Sequence, residues 1–430
     1  MKIQNIKSKL TIACFVLMLF PVVAMAQNTE KVSLDTFVSE AIENNPNIQS
    51  AYHAWKSAEH KTKSVKSLDD PMATYGYFGE EVQTRVGPQE QKYGVSQKIP
   101  FPGKRRLKGK AQAKHAAMLK EKYEATKNEI IKKVKFTFFD LFWVDQAIQI
   151  NEEEKSILEK LEKVAQRKYE SNQVPQQDVI KVQVELSKII QKIFLLRQNR
   201  SSTVVKLNSL LNRSHDSEVE KILAINDVQF DSNLDDLLEK VRESRQELIA
   251  ANLSVEKAEY EKSLAKMAYL PDFTFGAEYV DISGGSTTNV NDGEDAWMGK
   301  VSVNVPIWFG KLKSQVKEKE EALEAAEKGK EDIENKVEFE VQDIYFKINA
   351  YKDIVLLYET ALMPQAEQAF ESSQTGFETG SISFLDWLDT ERTYLQTRLA
   401  YYKSITDYHK SIAFLERVVG GNYQGGHNEK

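Results

Sequence analysis

Leu34-Asp35-Thr-Phe-Val-Ser-Glu-Ala-Ile-Glu43-Asn-Asn-Pro-Asn-Ile48 is answered two hundred positions later by Leu234-Asp235-Asp-Leu-Leu-Glu-Lys-Val-Arg-Glu243-Ser-Arg-Gln-Glu-Leu248. Ala58-Glu59 is then matched by Ala258-Glu259 and Pro71 by Pro271. With a slight drift, Pro100 is matched by Pro306, Gly103-Lys104 by Gly310-Lys311 and Asp178 by Asp386. One unit of about 200 residues is therefore written twice, and an internal repeat decides the fold before any single segment does. The copies span 27–212 and 234–419, joined by a connecting segment 213–233 of mixed character.

Both copies carry the same order of patterns. A helix is expected over 35–69 and again over 235–269, and strands over 71–79, 91–99, 271–281 and 296–305. A long helix is expected over 104–170 and 311–378, and a return helix over 176–211 and 383–419. From Lys104 to Glu170 there is no proline and Gly109 is the only glycine. Ile130, Val134, Phe138, Leu141, Ile148, Ile157 and Leu161 recur there at helical steps, as do Val337, Val341, Ile344 and Ile348 in the second copy. A helix of that length is ~100 Å long at 1.5 Å per residue, so its apolar seam must lie in a coiled coil or bundle. Pro364 marks an expected kink or break. Both long helices end in matching tips, at Tyr169-Glu-Ser-Asn172 and Phe377-Glu-Thr-Gly380, where Gly380 suits a left-handed cap and Asn172 can adopt the same conformation.

The strand patterns alternate with period two. Phe273, Phe275, Ala277 and Tyr279 face away from Thr274, Gly276 and Glu278. Trp297, Gly299, Val301 and Val303 face away from Met298, Lys300 and Ser302. Alternation over about ten residues with terminal aromatics matches a membrane β-barrel strand. An ordinary surface hairpin gives such a pattern once, whereas here it recurs at the same place in both copies. Four strands cannot close a barrel, and open edges are not tolerated in lipid, so several chains would share one barrel. The segments 80–92 and 284–296 would be its loops.

The ends and composition narrow the class. Lys2, Lys7 and Lys9 precede an apolar run from Leu10 to Val23, and Ala24-Met25-Ala26 supplies a small-x-small cleavage site, so 1–26 reads as a secretory signal peptide. The run falls short of the ~20 residues a membrane-spanning helix needs. Cys14, the only cysteine, lies inside it. Thr11 stands where a lipoprotein signal carries Leu, so lipidation is not expected. The mature chain would lack cysteine, which excludes disulfides and thiol catalysis. Removing the signal lowers the formal net charge from −6 to −9, with signs interspersed, which argues against a nucleic-acid partner. The tail 420–430 is expected to be disordered.

The ordered set of features resembles the TolC-like outer-membrane efflux family. It comprises the twofold repeat, the Leu-Asp…Asn44-Asn45-Pro46-Asn47-Ile48 start, the strand pair ahead of each long helix, and the tip sequences. The resemblance implies a mainly α fold with a small β part, assembled as a homotrimer. Four strands per chain would form a 12-stranded outer-membrane barrel, extended by a periplasmic α-helical tunnel. It places a periplasmic gate at acids after the second tip, which here are Asp386 and Asp389, with Glu391 a weaker candidate. Spacing of three puts Asp386 and Asp389 on one helix face, and three copies would make a ring of six carboxylates able to attract cations and respond to pH. Spacing alone favours a solvated helix face. The resemblance also implies that the tips dock a periplasmic adaptor, through Val174, Gln177, Ile382 and Leu385, or else these residues simply pack the turns. Lys104, Arg105 and Arg106 sit where strand becomes helix and could meet anionic lipid headgroups of the outer membrane, or form a solvated helix start. Lys98-Ile-Pro-Phe-Pro-Gly103-Lys104 is similar to the version in channels of metal-cation resistance pumps.

No HExxH, GxSxG, phosphate loop or Cys/His pair occurs, and neither the methionines nor the histidines form a ligand cluster, so no enzyme, cofactor or metal site is expected. The leading expectation is a passive exit duct working with an adaptor and an inner-membrane transporter, exporting small solutes, metal cations or drugs among them. A type I protein-secretion duct uses the same fold. A soluble periplasmic coiled-coil scaffold is the reading from another class.

Overall fold

The computed structural model describes residues 33–285 and 287–421. The expected signal peptide 1–26, with Cys14, and the tail from 422 onward lie outside the described residues. Each repeat opens with two helices rather than one: α1 (Leu34–Asn44) and α2 (Pro46–Ser64), then α5 (Leu234–Ser244) and α6 (Gln246–Lys266). The single helices expected over 35–69 and 235–269 do not form. In the first repeat the residue before Pro46 is sterically driven out of the helical region. Asn45 accordingly sits at φ −68°, ψ 121°, and its Oδ1 accepts from the amides of Asn47 and Ile48. In the second repeat Arg245 adopts the same extended backbone without a proline, tied instead to Glu340 Oε2 (2.9 Å) and the Arg417 carbonyl (3.1 Å).

The strands are β1 (Met72–Thr84), β2 (Gly87–Ile99), β3 (Phe273–Ile282) and β4 (Ala296–Val303), forming one antiparallel sheet in the order β1-β2-β3-β4. The expected 80–92 loop is therefore mostly strand. Gln83 pairs with Pro88 and Thr84 with Gly87, leaving Arg85-Val86 as the turn. Gly87 adopts φ +128°, and a side chain there would collide with the Ser283 carbonyl of β3's extension. The two repeats meet at β2–β3, so β1 and β4 are edges with no strand partner among the described residues.

Helix α3 (Lys104–Glu170) and its return α4 (Gln176–Leu211) form the first hairpin. The second is α7 (Phe309–Leu357), a π-helical turn at Tyr358–Leu362, α8 (Met363–Thr379) and α9 (Phe384–Val418). The break sits just ahead of Pro364, which has no N–H for the Thr360 carbonyl and whose ring would clash with it. A widened turn accommodates both defects.

Equivalent cores fill the mid-section of the two repeats. Phe37, Ala41, Ile48, Val134, Phe138 and Leu141 gather in the first, and Leu237, Val241, Leu248, Val341, Ile344 and Ile348 in the second. A third cluster, with Leu158, Val182, Phe377, Phe384, Trp387 and Leu388, packs the two hairpins together toward their tips. Among the described residues no helix is long and apolar enough to cross a membrane.

The connecting segment 213–233 has almost no regular structure, and side chains pin it against the helices. Asp145 on α3 is fully buried. It pairs with Arg200 of α4 at 2.5 Å and accepts the Ile222 amide at 2.9 Å, while Arg200 also reaches the Val219 carbonyl. Tyr408 Oη donates to the Val228 carbonyl at 2.9 Å. Gly420, expected in the disordered tail, accepts from Asn128 and Gln246, because its carbonyl lies in the polar layer that caps α9. Replacing Asp145 by Ala would leave the Arg200 guanidinium without its counter-ion and the Ile222 amide without its acceptor. It should cost about 3 kcal/mol in denaturant unfolding and open 213–233 to limited proteolysis. An unchanged midpoint with a protease-resistant segment would contradict this.

Candidate functional site

The sheet carries two unlike faces. Tyr75 pairs with Tyr93, Tyr93 with Tyr279, and Tyr279 with Trp297, so four aromatic rings lie in one row across all four strands. All are exposed, Trp297 at 81%. The same face carries Ala73, Val95, Ala277, Phe275, Val301 and Val303. The opposite face carries Thr74, Ser96, Thr274 and Ser302, with Lys92 and Lys300 both bridging to Glu278 at 2.7 and 3.3 Å. A second aromatic level lies at the strand–helix junction, with Phe273, Trp308 and Phe309, the last two exposed at 72% and 65%. Phe273 and Tyr279 are six residues apart, ~20 Å along a strand, close to the ~25 Å height of a barrel's lipid-facing band between its aromatic girdles.

The basic residues of that junction have protein partners. Lys104 Nζ binds Asp272 Oδ1 and the Leu270 carbonyl, both at 2.7 Å, and Asp272 also accepts the Phe101 amide at 3.0 Å. Lys104 thus staples the start of α3 to the second repeat. Arg105 is drawn to the Lys66 carbonyl beyond α2, and Arg106 is exposed. The exposed aromatic residues Trp308 and Phe309, which sequence reasoning passed over, present more surface there than Lys104 or Arg105. Their signal was the apolar run Val305-Pro-Ile-Trp-Phe309 directly after a strand.

At the other end, both hairpins close with the same backbone motif. Asn172 (φ 57°) and Gly380 (φ 81°) are left-handed. The Gln173 amide donates to the Lys168 carbonyl and the Ser381 amide to the Gly376 carbonyl, each at 2.8 Å. Val174 and Ile382 are half-buried under these turns, while Gln177 and Leu385 are exposed. Asp386 and Asp389 lie on the exposed face of α9's first turns. Ser383 caps that helix, accepting the Asp386 amide at 3.3 Å and donating to the Asp386 carboxylate at 2.7 Å, so Asp386 also favours the helix N-terminus.

Glu391 is not beside them. It falls on the face of Trp387, Leu388 and Leu395, only 2% exposed, and hydrogen-bonds the buried Glu154 of α3. Burial first, then the hydrogen bond and charge of Glu154, push Glu391 up to about 10, and burial also raises Glu154. The overlooked signal was the spacing of four between Trp387, Glu391 and Leu395, which assigns Glu391 to the core stripe. Among the described residues no group of three or more His, Cys, Asp or Glu is placed to hold a metal.

Residues 237–421 match the family model described as outer membrane efflux protein. Outer membrane protein TolC of Vibrio cholerae serotype O1 is 24% identical over 289 residues, 65% of this chain, and the chain spans 65% of the length of that curated relative. The fold is that of solved outer-membrane channels. The Campylobacter jejuni CmeC outer membrane channel superposes with a TM-score of 0.77 at 18% identity, covering 92% of this chain and 87% of that one. The outer membrane protein VceC of Vibrio cholerae superposes with a TM-score of 0.74 at 18% identity, covering 91% and 97%. The second repeat, residues 237–421, thus matches the outer-membrane efflux family by sequence, and nearly all of the chain shares the fold of these solved channels. That family consists of outer-membrane channels, not enzymes.

The two tips offer a local check. Gly380→Ala places a side chain at φ 81° and should loosen its tip by about 1–2 kcal/mol, seen as faster amide exchange over 376–384. Asn172→Gly should leave exchange at the first tip within about threefold of the parent. Equal exchange in Gly380→Ala and parent would contradict the motif.

Proposed function

We propose that the protein is the outer-membrane duct of a tripartite efflux assembly. Three copies share one 12-stranded barrel, and their helical hairpins form a tunnel into the periplasm. The observation that carries this is the sheet: one aromatic and apolar face, one polar face, and two free edges. In hydrocarbon every backbone N–H and C=O must be paired, so β4 of one copy pairs with β1 of the next until the ring closes. Exposed Phe339 and Phe346 on α7, at 69% and 62%, and Phe194 on α4, at 62%, supply apolar surface where neighbouring copies pack.

Trp308 and Phe309 lie at the periplasmic lipid interface, with Arg106 free to meet headgroups there. The tips, through Gln177 and Leu385 with Val174 and Ile382 beneath, receive the periplasmic adaptor, and an inner-membrane transporter supplies the energy. The cargo is small solutes. Asp386 and Asp389 from three chains ring the periplasmic entrance and favour cations by their field.

In a planar bilayer the trimer should conduct weakly with a preference for cations. Asp386→Ala combined with Asp389→Ala should raise the conductance severalfold and reduce that preference. Identical conductance and selectivity would reduce those two residues to an exposed helix face. A trimer that never conducts would sink the duct.

A further inference from the structure

The layer where the two hairpins meet, short of the tips, is apolar except for two acids. Glu154 occupies the core stripe of α3 between Ile150 and Leu158, and Glu391 the core stripe of α9 between Trp387 and Leu395. They are 6% and 2% exposed and hydrogen-bond each other across the junction of the first repeat and the second. Oε1 of each has no further partner. Two carboxylates in contact in a dry layer repel at short range and are poorly solvated, so the pair is stable there only with a proton between them.

The surrounding charges do not replace that proton. On α9, Arg392 is engaged by Glu185 of α4, and Arg398 is paired with Glu153 of α3 at 2.8 Å. From α4, Glu185 and Lys192 act on the pair through their charge, and Glu185 is also bound to Lys188 at 2.9 Å. Burial lowers the affinity of Lys192 for its own proton, and the charge of Glu154 raises it. From α8 the neighbours in this layer are Phe370 and Phe377.

We propose that Glu154 and Glu391 share one proton that fastens α9 to α3, and that parting these helices releases it to water. The latch rests on the duct reading only for its consequence, which is that an entrance opened by moving α9 becomes pH-dependent. The sign follows from linkage. Once parted and solvated, the acids return toward their ordinary value of 4.5, whereas packed Glu391 holds its proton up to about 10. The packed state is therefore fully favoured below about 4.5 and loses ground as pH rises toward about 10, the neutral range included. One proton per chain makes parting about tenfold easier per pH unit in each chain.

The test uses the intact protein extracted from outer membranes in detergent. Amide exchange over 384–396, corrected for the intrinsic rate, is followed from about pH 5.5 to about pH 8.5. The wild-type opening constant should rise about tenfold per unit. In the double variants Glu154→Gln with Glu391→Gln and Glu154→Leu with Glu391→Leu, which leave no titrating carboxyl at the pair, it should stay flat. Infrared spectra should show a protonated carboxyl in the wild type at neutral pH that both variants lack, which decides the matter even if one variant fails to assemble. Equal slopes in wild type and variants, or no protonated carboxyl in the wild type, would overturn the latch. Conductance recorded in parallel separates the two readings: a trimer that does not conduct counts against the duct, while the exchange slope still decides the latch.

Discussion

An unpaired strand edge cannot sit in hydrocarbon. Each buried peptide group without a partner costs several kcal/mol, and a lipid-exposed edge has many of them. The four-stranded sheet of this chain has two such edges, at β1 and β4, while one of its faces carries the aromatic row and most of the apolar side chains. The rest of the proposed assembly follows from reconciling these facts. The edges must find each other on neighbouring copies. The polar face, with its Lys92–Glu278–Lys300 group, must then line the inside. The long helices that continue from β2 and β4 are thereby set side by side as the wall of a tunnel.

Duplication makes this geometry economical, and comparing the halves shows what it conserves. Asn45 and Arg245 hold the same extended backbone between two helices, one by capping the next helix and the other by an ion pair and a carbonyl contact. Asn172 and Gly380 hold the same left-handed turn. The backbone path is common, and the side chains that enforce it differ. The two hairpins themselves differ. The first is a continuous α3, whereas the second is broken at Tyr358–Leu362 and presents Asp386 and Asp389 on its return.

Much of this could be read before any coordinates, for physical reasons specific to each element. The first long helix declared itself because sixty-odd residues without proline and with an unbroken apolar stripe have few alternatives, and the second because it repeats that stripe up to Pro364. The strands declared themselves by alternation, but not their ends: β1 and β2 run on through polar Glu80–Glu90, where a hairpin pairs its backbone regardless of side-chain hydropathy. The break at Arg245 was invisible because no proline marks it. Lys104 and Arg105 looked like surface charges because their partners, Asp272 and the Lys66 carbonyl, are distant in sequence or belong to the backbone. Glu391 was grouped with Asp386 and Asp389 by composition, whereas its helical phase places it in the core, two residues and half a turn away.

The central claim is that three chains close one barrel, and mass in solution tests it most directly. The mature protein, extracted from outer membranes in detergent and sized by light scattering with the detergent contribution removed, should have the mass of three chains and be absent from the soluble fraction. A monomer or dimer recovered without detergent would contradict the shared barrel, and with it the tunnel, the gate and the docking tips.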